Sequence, residues 1–299
     1  MIEAGTDGPF EVPYPDPGQV YELVKAALIE DGAFRDVTTQ AIVPPDQQGR
    51  GTFVAREGGV LCGLTVAAAA FTALDDEIEV RSRAADGDWL HPGVAFASVV
   101  GPLGAILSAE RVALNYLQRL SGIATATKAM VSAVGGLPVR ILDTRKTTPG
   151  LRYLERYAVR VGGGSNHRFN LADGILIKDN HIAACRSRGL EIADVIRQAR
   201  QQSPHTLKVE VEVTTLDEGR EAIEAGADIV LLDNMSPALM AEVVAVARGR
   251  CLLEASGGVT LDNVREIAES GVDLISSGAL THSAKALDVS LEIETAEPE

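Results

Sequence analysis

Cysteine is scarce in this chain. Only Cys62, Cys185 and Cys251 occur, far apart, with no CxxC pair and no metal-ligand spacing. So sparse and odd a set excludes a disulfide framework and fits a reducing compartment. Basic residues are also few, 27 Lys and Arg against 42 Asp and Glu, for a formal net charge of −15. A surface of that sign repels nucleic acid and anionic membrane, so neither is an expected partner. The most apolar stretch, VLCGLTVAAAAFTAL, is short and broken by Gly and Thr, which argues against a membrane span. The amino-terminal MIEAGTDGPFEVPYPDPG lacks the basic start and apolar run of a secretion signal. These absences leave a cytoplasmic globular protein as the expectation, and 299 residues supply one large domain or two modest ones.

Two textures follow one another along the chain. Up to about residue 110, one helical segment (GQVYELVKAALIEDGA) mixes with short strand-like pieces such as GTFVARE and GDWLHPGVAFASVVG, an α+β pattern. From Ser108 a long helical pattern begins, with Ser108 as its expected N-cap and Glu110 in its first turn. Apolar strands and helices then alternate: VRILDT, GILIKDN, LKVEVEVT, DIVLLDN, CLLEASGG and LISSGAL are separated by segments of helical period. Repeated strand–helix units predict parallel strands joined by crossovers. The strands end in polar or small residues, Asp143, Lys178, Glu212, Asp233, Ser256 and Ser277. Barrels carry chemistry at the carboxyl ends of successive strands, whereas an open sheet needs it only at a switch point. The even distribution therefore favours a barrel.

Four constellations can carry chemistry. The first is cationic: residues 143–181 hold seven Lys and Arg against four acids, inside an acidic chain. Arg152, Arg156 and Arg160 recur every four residues and read as a solvated helix face, at least for the last two. Arg145, Lys146 and Lys178 follow strands, where guanidinium and ammonium groups together suit an anion. The second is VGGGSNHRFNLADG, which lacks the GK[ST] of a P-loop and sets His167 and Arg168 behind a glycine run. The third pairs Ser256, Gly257 and Gly258 with Ser277, Gly278 and Ala279, after two late strands where barrels cradle phosphate. The fourth is acidic. Glu210 and Glu212 share one strand face, inward in a barrel, and Asp233 ends the next strand. Such acids can take ribose hydroxyls, hold Mg²⁺ through water or face a developing cation. Phosphate at one end, hydroxyls in the middle and carboxylates at the other describe a phosphorylated sugar meeting an acidic small molecule.

The motifs DTRKTTPGLR, GGGSNHR, ILIKDNHI, VEVEV, LLDN, EASGGV and SSGALTHS, in this order, resemble the quinolinate phosphoribosyltransferase family. The ERVALNYLQRLSGIAT helix is similar too, and the resemblance spans roughly residues 18–290. It implies an N-terminal α+β domain (1–114, with the tail 284–299 packing on it) and an incomplete α/β barrel of six or seven strands (115–283). It implies quinolinate and 5-phosphoribosyl-1-pyrophosphate as substrates, nicotinate mononucleotide, CO₂ and pyrophosphate as products, and Mg²⁺ as cofactor. It further implies a homodimer or higher oligomer, with Arg111 supplied across the interface.

Residue by residue, the family's quinolinate contacts fall on Arg145, His167 and Arg168, with Thr144 a minor contact. Lys146 and Lys178 match lysines between the two substrates. Glu212 and Asp233 match acids at the ribose. Ser256, Gly257, Gly258, Ser277, Gly278 and Ala279 match the phosphate cradle, and His282 lies near it. Lys146, Lys178, Glu212 and Asp233 would carry catalysis, and no residue would bind the metal directly. Residues 1–17 have no counterpart with a function.

Three rivals stand beside this reading. One is a related phosphoribosyltransferase with another acceptor. Another is an aldolase-type barrel using Lys178 as a Schiff-base lysine in an apolar setting. The third is a non-catalytic scaffold barrel.

Overall fold

The computed structural model describes residues 13–295, so the expectations for the first twelve residues and for the end of the tail lie outside the described residues. The chain forms two compact units. One comprises residues up to Thr125, Tyr153–Val161 and the segment from Lys285. The other comprises Ala126–Arg152 and Gly162–Ala284. The boundary suggested at residue 114 falls inside the helix Leu103–Ala133, which passes from one unit into the other. Among the described residues no helix is long and apolar enough to cross a membrane.

In the first unit, strands β1 (Gln48–Ala55), β3 (Glu79–Ser82), β5 (Ala95–Pro102) and β12 (Val289–Thr295) form an antiparallel sheet in the order β12-β1-β5-β3. β2 (Gly59–Val60) and β4 (Trp89–Leu90) make a small second pair. Phe53 on β1 packs edge-on to Phe71 at 6.1 Å and against Phe96 at 5.9 Å, placing the aromatic core on one sheet face. The helix Pro17–Asp31 starts where Asp16 Oδ1 accepts from Gln19 N–H and stops at Gly32, φ 72°. The tail is tied down by Gln118, whose Nε2 donates to Val289 O and whose carbonyl accepts from Leu287 N–H. A side chain at Gly122 would collide with the Lys285 carbonyl, so only glycine lets the tail pass there.

Two sequence expectations fail in this unit. The long helix begins at Leu103, directly after β5, with buried Leu103 and Ile106 continuing the helical pattern backward through Gly104. Ser108 is therefore interior, not an N-cap, and its hydroxyl donates to Asp36 Oδ2 at 3.0 Å. Asp36 is itself the N-cap of the helix Val37–Ile42, accepting from Thr38 and Thr39 N–H. On the helix Arg152–Val161 the solvated-face reading fails for Arg156, which is 4% exposed, while neighbouring Glu155 is fully buried. Arg119 reaches Glu155 Oε1 at 2.7 Å and compensates that charge.

The second unit is a six-stranded parallel sheet: β6 (Arg140–Leu142), β7 (Ile175–Ile177), β8 (Val209–Val213), β9 (Ile229–Asp233), β10 (Leu252–Ser256) and β11 (Leu274–Ser276). Their order, β6-β11-β10-β9-β8-β7, leaves the consecutive strands β6 and β7 at the two edges. A strand order that returns to its own start yet does not pair there is an incomplete α/β barrel. Period 2 explains the burial of VEVEV: Val209, Val211 and Val213 take one face, Glu210 and Glu212 the other, and all five are buried. Between strands, helices start on built caps. Thr215 Oγ1 accepts from Glu218 N–H, and Ser236 Oγ accepts from Leu239 N–H ahead of Pro237.

Candidate active site

The carboxyl ends of the six barrel strands surround a cavity of about 810 Å³. Every site residue expected on the strand ends lines it: Thr144, Arg145, Lys146, His167, Arg168, Lys178, Glu212, Asp233, Ser256–Gly258, Ser277–Ala279 and His282. Arg111 does not belong to this group. It lies in the first unit, exposed, with Glu110 at 3.8 Å.

At the cationic end, Asp143 is fully buried at the end of β6 and organises the loop that follows β6 in space. Its carboxylate accepts from Asn166 Nδ2 at 2.5 Å and from His167 N–H at 2.9 Å, which sets His167 and Arg168 beside Arg145. Arg152 straps the same region. Its guanidinium donates to Thr147 Oγ1, to the Arg145 carbonyl and to the Phe169 carbonyl. Arg145 Nε is buried without a hydrogen-bond partner among the described residues. Burial and the Arg145 charge both push the Arg168 pKa down, a crowding of cations that an anion relieves.

The loops after the two late strands leave backbone open to the cavity. Gly257 (φ 90°) and Gly258 (φ 61°) adopt left-handed backbone, and a side chain on Gly257 would strike the Asn234 amide. Gly278 leaves room for Lys146, whose Cδ would lie 2.8 Å from any added Cβ. Thr281 Oγ1 donates to the Lys146 carbonyl at 2.7 Å, which ties the Lys146 backbone to the same loop.

Lys178 Nζ meets Glu212 Oε2 at 2.7 Å. Lys178 is about half exposed and its partner is a carboxylate, unlike the apolar setting a Schiff-base lysine requires. Asp233 ends β9, and its Oδ2 accepts from Asn234 Nδ2 at 2.8 Å. Asn234 is itself in left-handed backbone, φ 54°, a conformation asparagine tolerates.

Deeper in the barrel lies a group that the strand-end reading does not single out. His167 Nε2 stands 3.3 Å from Glu210 Oε2 and 3.6 Å from Glu254 Oε2. Burial pulls the His167 pKa down, and the two acids more than offset this, leaving it above its ordinary value. Burial and the charge of Glu210 push the Glu254 carboxyl up to about 7. Glu254 was legible by the rule that flags Glu210 and Glu212, since it precedes Ser256 by two residues on the same inward face.

Comparison with known proteins places this geometry. The model of the quinolinate phosphoribosyl transferase C-terminal domain matches residues 123–292, and that of the N-terminal domain matches residues 36–121. A probable nicotinate-nucleotide pyrophosphorylase (carboxylating) of Bacillus subtilis is 44% identical, over 92% of this chain and 93% of that protein. A mitochondrial quinolinate phosphoribosyltransferase (decarboxylating) of Nicotiana tabacum is 43% identical, over 92% of this chain and 82% of that protein. The crystal structure of NadC from Streptococcus pyogenes superposes with a TM-score of 0.91 at 43% identity, covering 95% of this chain and all of that one.

Proposed function

The chain belongs to the quinolinate phosphoribosyltransferase family, and from that premise we propose how its cavity performs the family's reaction. The enzyme joins quinolinate to 5-phosphoribosyl-1-pyrophosphate and releases nicotinate mononucleotide, CO₂ and pyrophosphate, a step of NAD biosynthesis. One observation supports this most directly. A single cavity is lined by Arg145, His167 and Arg168, by paired Gly/Ser loops, and by Glu212 and Asp233.

Adjacent carboxylates of quinolinate suit the cationic end, where several donors converge on a small anion. The 5-phosphate suits the backbone N–H groups of Gly257, Gly258 and Gly278. Departure of pyrophosphate leaves positive character at the ribose C1, and two carboxylates on the cavity wall, Glu212 and Asp233, suit the role of offsetting it. Lys146 offsets charge on the leaving group. Lys178, now bound to Glu212, is placed to exchange that partner for a substrate anion. Alkylation makes the ring nitrogen positive, and that charge stabilises the carbanion left when CO₂ departs.

Magnesium ion is proposed as the cofactor. Glu212 is already engaged by Lys178, and Asp233 by Asn234, so the donor set suits a metal held mainly by substrate oxygens and water. The metal would neutralise pyrophosphate charge and leave both carboxylates facing the ribose. We also propose a homodimer or higher oligomer, with Arg111 of one subunit completing the cationic end of its neighbour, and a cytoplasmic location. The exposure of Arg111 and the dispersed free cysteines support these readings. Chromatography of a reaction holding quinolinate, phosphoribosyl pyrophosphate and Mg²⁺ should show nicotinate mononucleotide. Nicotinate in place of quinolinate should give none, and product from nicotinate would point to a different acceptor.

A further inference from the structure

We infer that Glu254, coupled to Glu210 through His167, stores the proton that the acceptor ring needs when it loses CO₂, and is loaded as the dicarboxylate binds. The inference rests on the quinolinate reading and concerns two acids that the strand-end chemistry leaves unused.

The geometry points to a proton and not to a metal. His167, Glu210 and Glu254 have the mutual spacing of a cation site, with their ligand atoms within 4.8 Å of one another. However, Arg168 N–H donates to His167 Nδ1 at 2.7 Å. That leaves the single proton of the neutral ring on Nε2, facing the two carboxylates, where a metal would need a lone pair. A second proton on the ring would have to displace the Arg168 N–H. The two acids raise the ring's own proton affinity, and with Nδ1 already accepting from Arg168 N–H an extra proton on the Nε2 side is shared with a carboxyl group. Glu254 is the more deeply buried of the two, at 1% exposure. Glu210 Oε1 and Glu254 Oε1 are both buried without a hydrogen-bond partner among the described residues, so each has room for a hydrogen.

The surrounding charges set when that proton arrives. Asp143 and Glu210 favour it, while His167 and the Ser276 hydroxyl oppose it. Arg168 lies beside His167, and Arg140, Lys208 and Asp173 stand around a second cavity of about 380 Å³ below. That second cavity opens among the first residues of the strands, Arg140, Ile229, Leu252 and Leu274. His167 and Glu254 line both cavities. Water can thus reach the cluster from below while substrate fills the cavity above.

A dianion entering beside two buried carboxylates raises their proton affinity, and Glu254 takes one proton from solvent. In the reaction the bond from ring carbon to carboxylate breaks, CO₂ leaves, and the electron pair stays on the carbon. That pair takes the proton held by Glu254, which itself lines the cavity, and Glu254 is left a carboxylate for the next loading. One proton is consumed per CO₂ released, as the replacement of carboxylate by hydrogen requires.

Calorimetric titration of the full-length enzyme with quinolinate alone, at pH 8 in buffers of different ionisation enthalpy, tests this. The wild type should take up roughly 0.5 to 1 proton per quinolinate bound. Glu254→Gln should bind with no uptake and lose kcat by about 100-fold, with quinolinate affinity kept or tightened. Glu210→Gln, a second isosteric variant, should move the uptake to lower pH. Binding by the wild type without proton uptake overturns the inference, as does Glu254→Gln with wild-type uptake or wild-type kcat. Absence of both quinolinate binding and CO₂ release would instead overturn the functional reading beneath it.

Discussion

Lys178 and Glu212 form an ion pair of 2.7 Å at the ends of two adjacent barrel strands, both lining the cavity. The carboxylate is almost fully buried and the lysine about half exposed, so the pair faces the cavity on its lysine side. Lys178→Met should therefore lower kcat by at least about 100-fold, as loss of a charge-stabilising group does. The change in Tm should correspond to no more than about 1 kcal/mol, because the pair is partly open to solvent. Steady-state kinetics and a thermal melt on one preparation check both, and a large loss of stability with normal kcat would assign the pair a structural role.

Lys146 is bonded at its carbonyl by Thr281, and its stem runs where a side chain on Gly278 would lie. Lys146→Ala should abolish most turnover and leave the far-ultraviolet circular dichroism and Tm unchanged. Wild-type kcat in this variant would remove Lys146 from the mechanism.

Arg152 binds three acceptors on two loops with one planar fork. Lysine has neither the fork nor the reach, so Arg152→Lys should behave nearly as Arg152→Ala. Both should lower kcat/KM for quinolinate by roughly 10- to 100-fold, through misplacement of Arg145. Full activity in Arg152→Lys would show that the strap is dispensable.

Glu254 also has a signature in stability. Its carboxyl is raised in the fold, so between the ordinary carboxylate range and about pH 7 the folded protein holds a proton that the unfolded chain has released. Stability falls as pH rises through that window and stays lower above it. Glu254→Gln removes this titration. Its Tm relative to wild type should rise between pH 5 and pH 8, by the equivalent of roughly 1–3 kcal/mol. A pH-independent difference would contradict the raised carboxyl.

Arg111 and Lys178 offer a test of shared sites. If Arg111 completes a neighbouring subunit's cavity, mixed oligomers of Arg111→Ala and Lys178→Ala chains regain activity, because one composite site keeps both residues. Two inactive parents giving inactive mixtures would place Arg111 within its own chain.

Much of the barrel was legible because it is local. A strand ending in Asp143, Lys178, Glu212 or Asp233 announces itself in a few residues, and period 2 assigns its faces. The line of cavity residues from Thr144 to His282 follows from those ends. What was illegible depends on partners far away in the chain. Ser108 looks like a cap until Asp36, 72 residues earlier, is seen to take its hydroxyl. Arg156 looks solvated because helical period shows which residues share a face and not what covers that face. Arg152 shares that helical spacing, and the carbonyl it binds at Phe169 lies 17 residues further along the chain. Glu254 was readable in principle, yet in LLEAS its charge stands out less than the repeated acids of VEVEV.

One cavity couples phosphoribosyl transfer to loss of a quinolinate carboxylate. Release of ¹⁴CO₂ from quinolinate labelled in the carboxyl next to the ring nitrogen tests it directly. Release should be stoichiometric and should occur only when phosphoribosyl pyrophosphate is present. Release without it, or none with it, would show that this cavity does not couple the two steps.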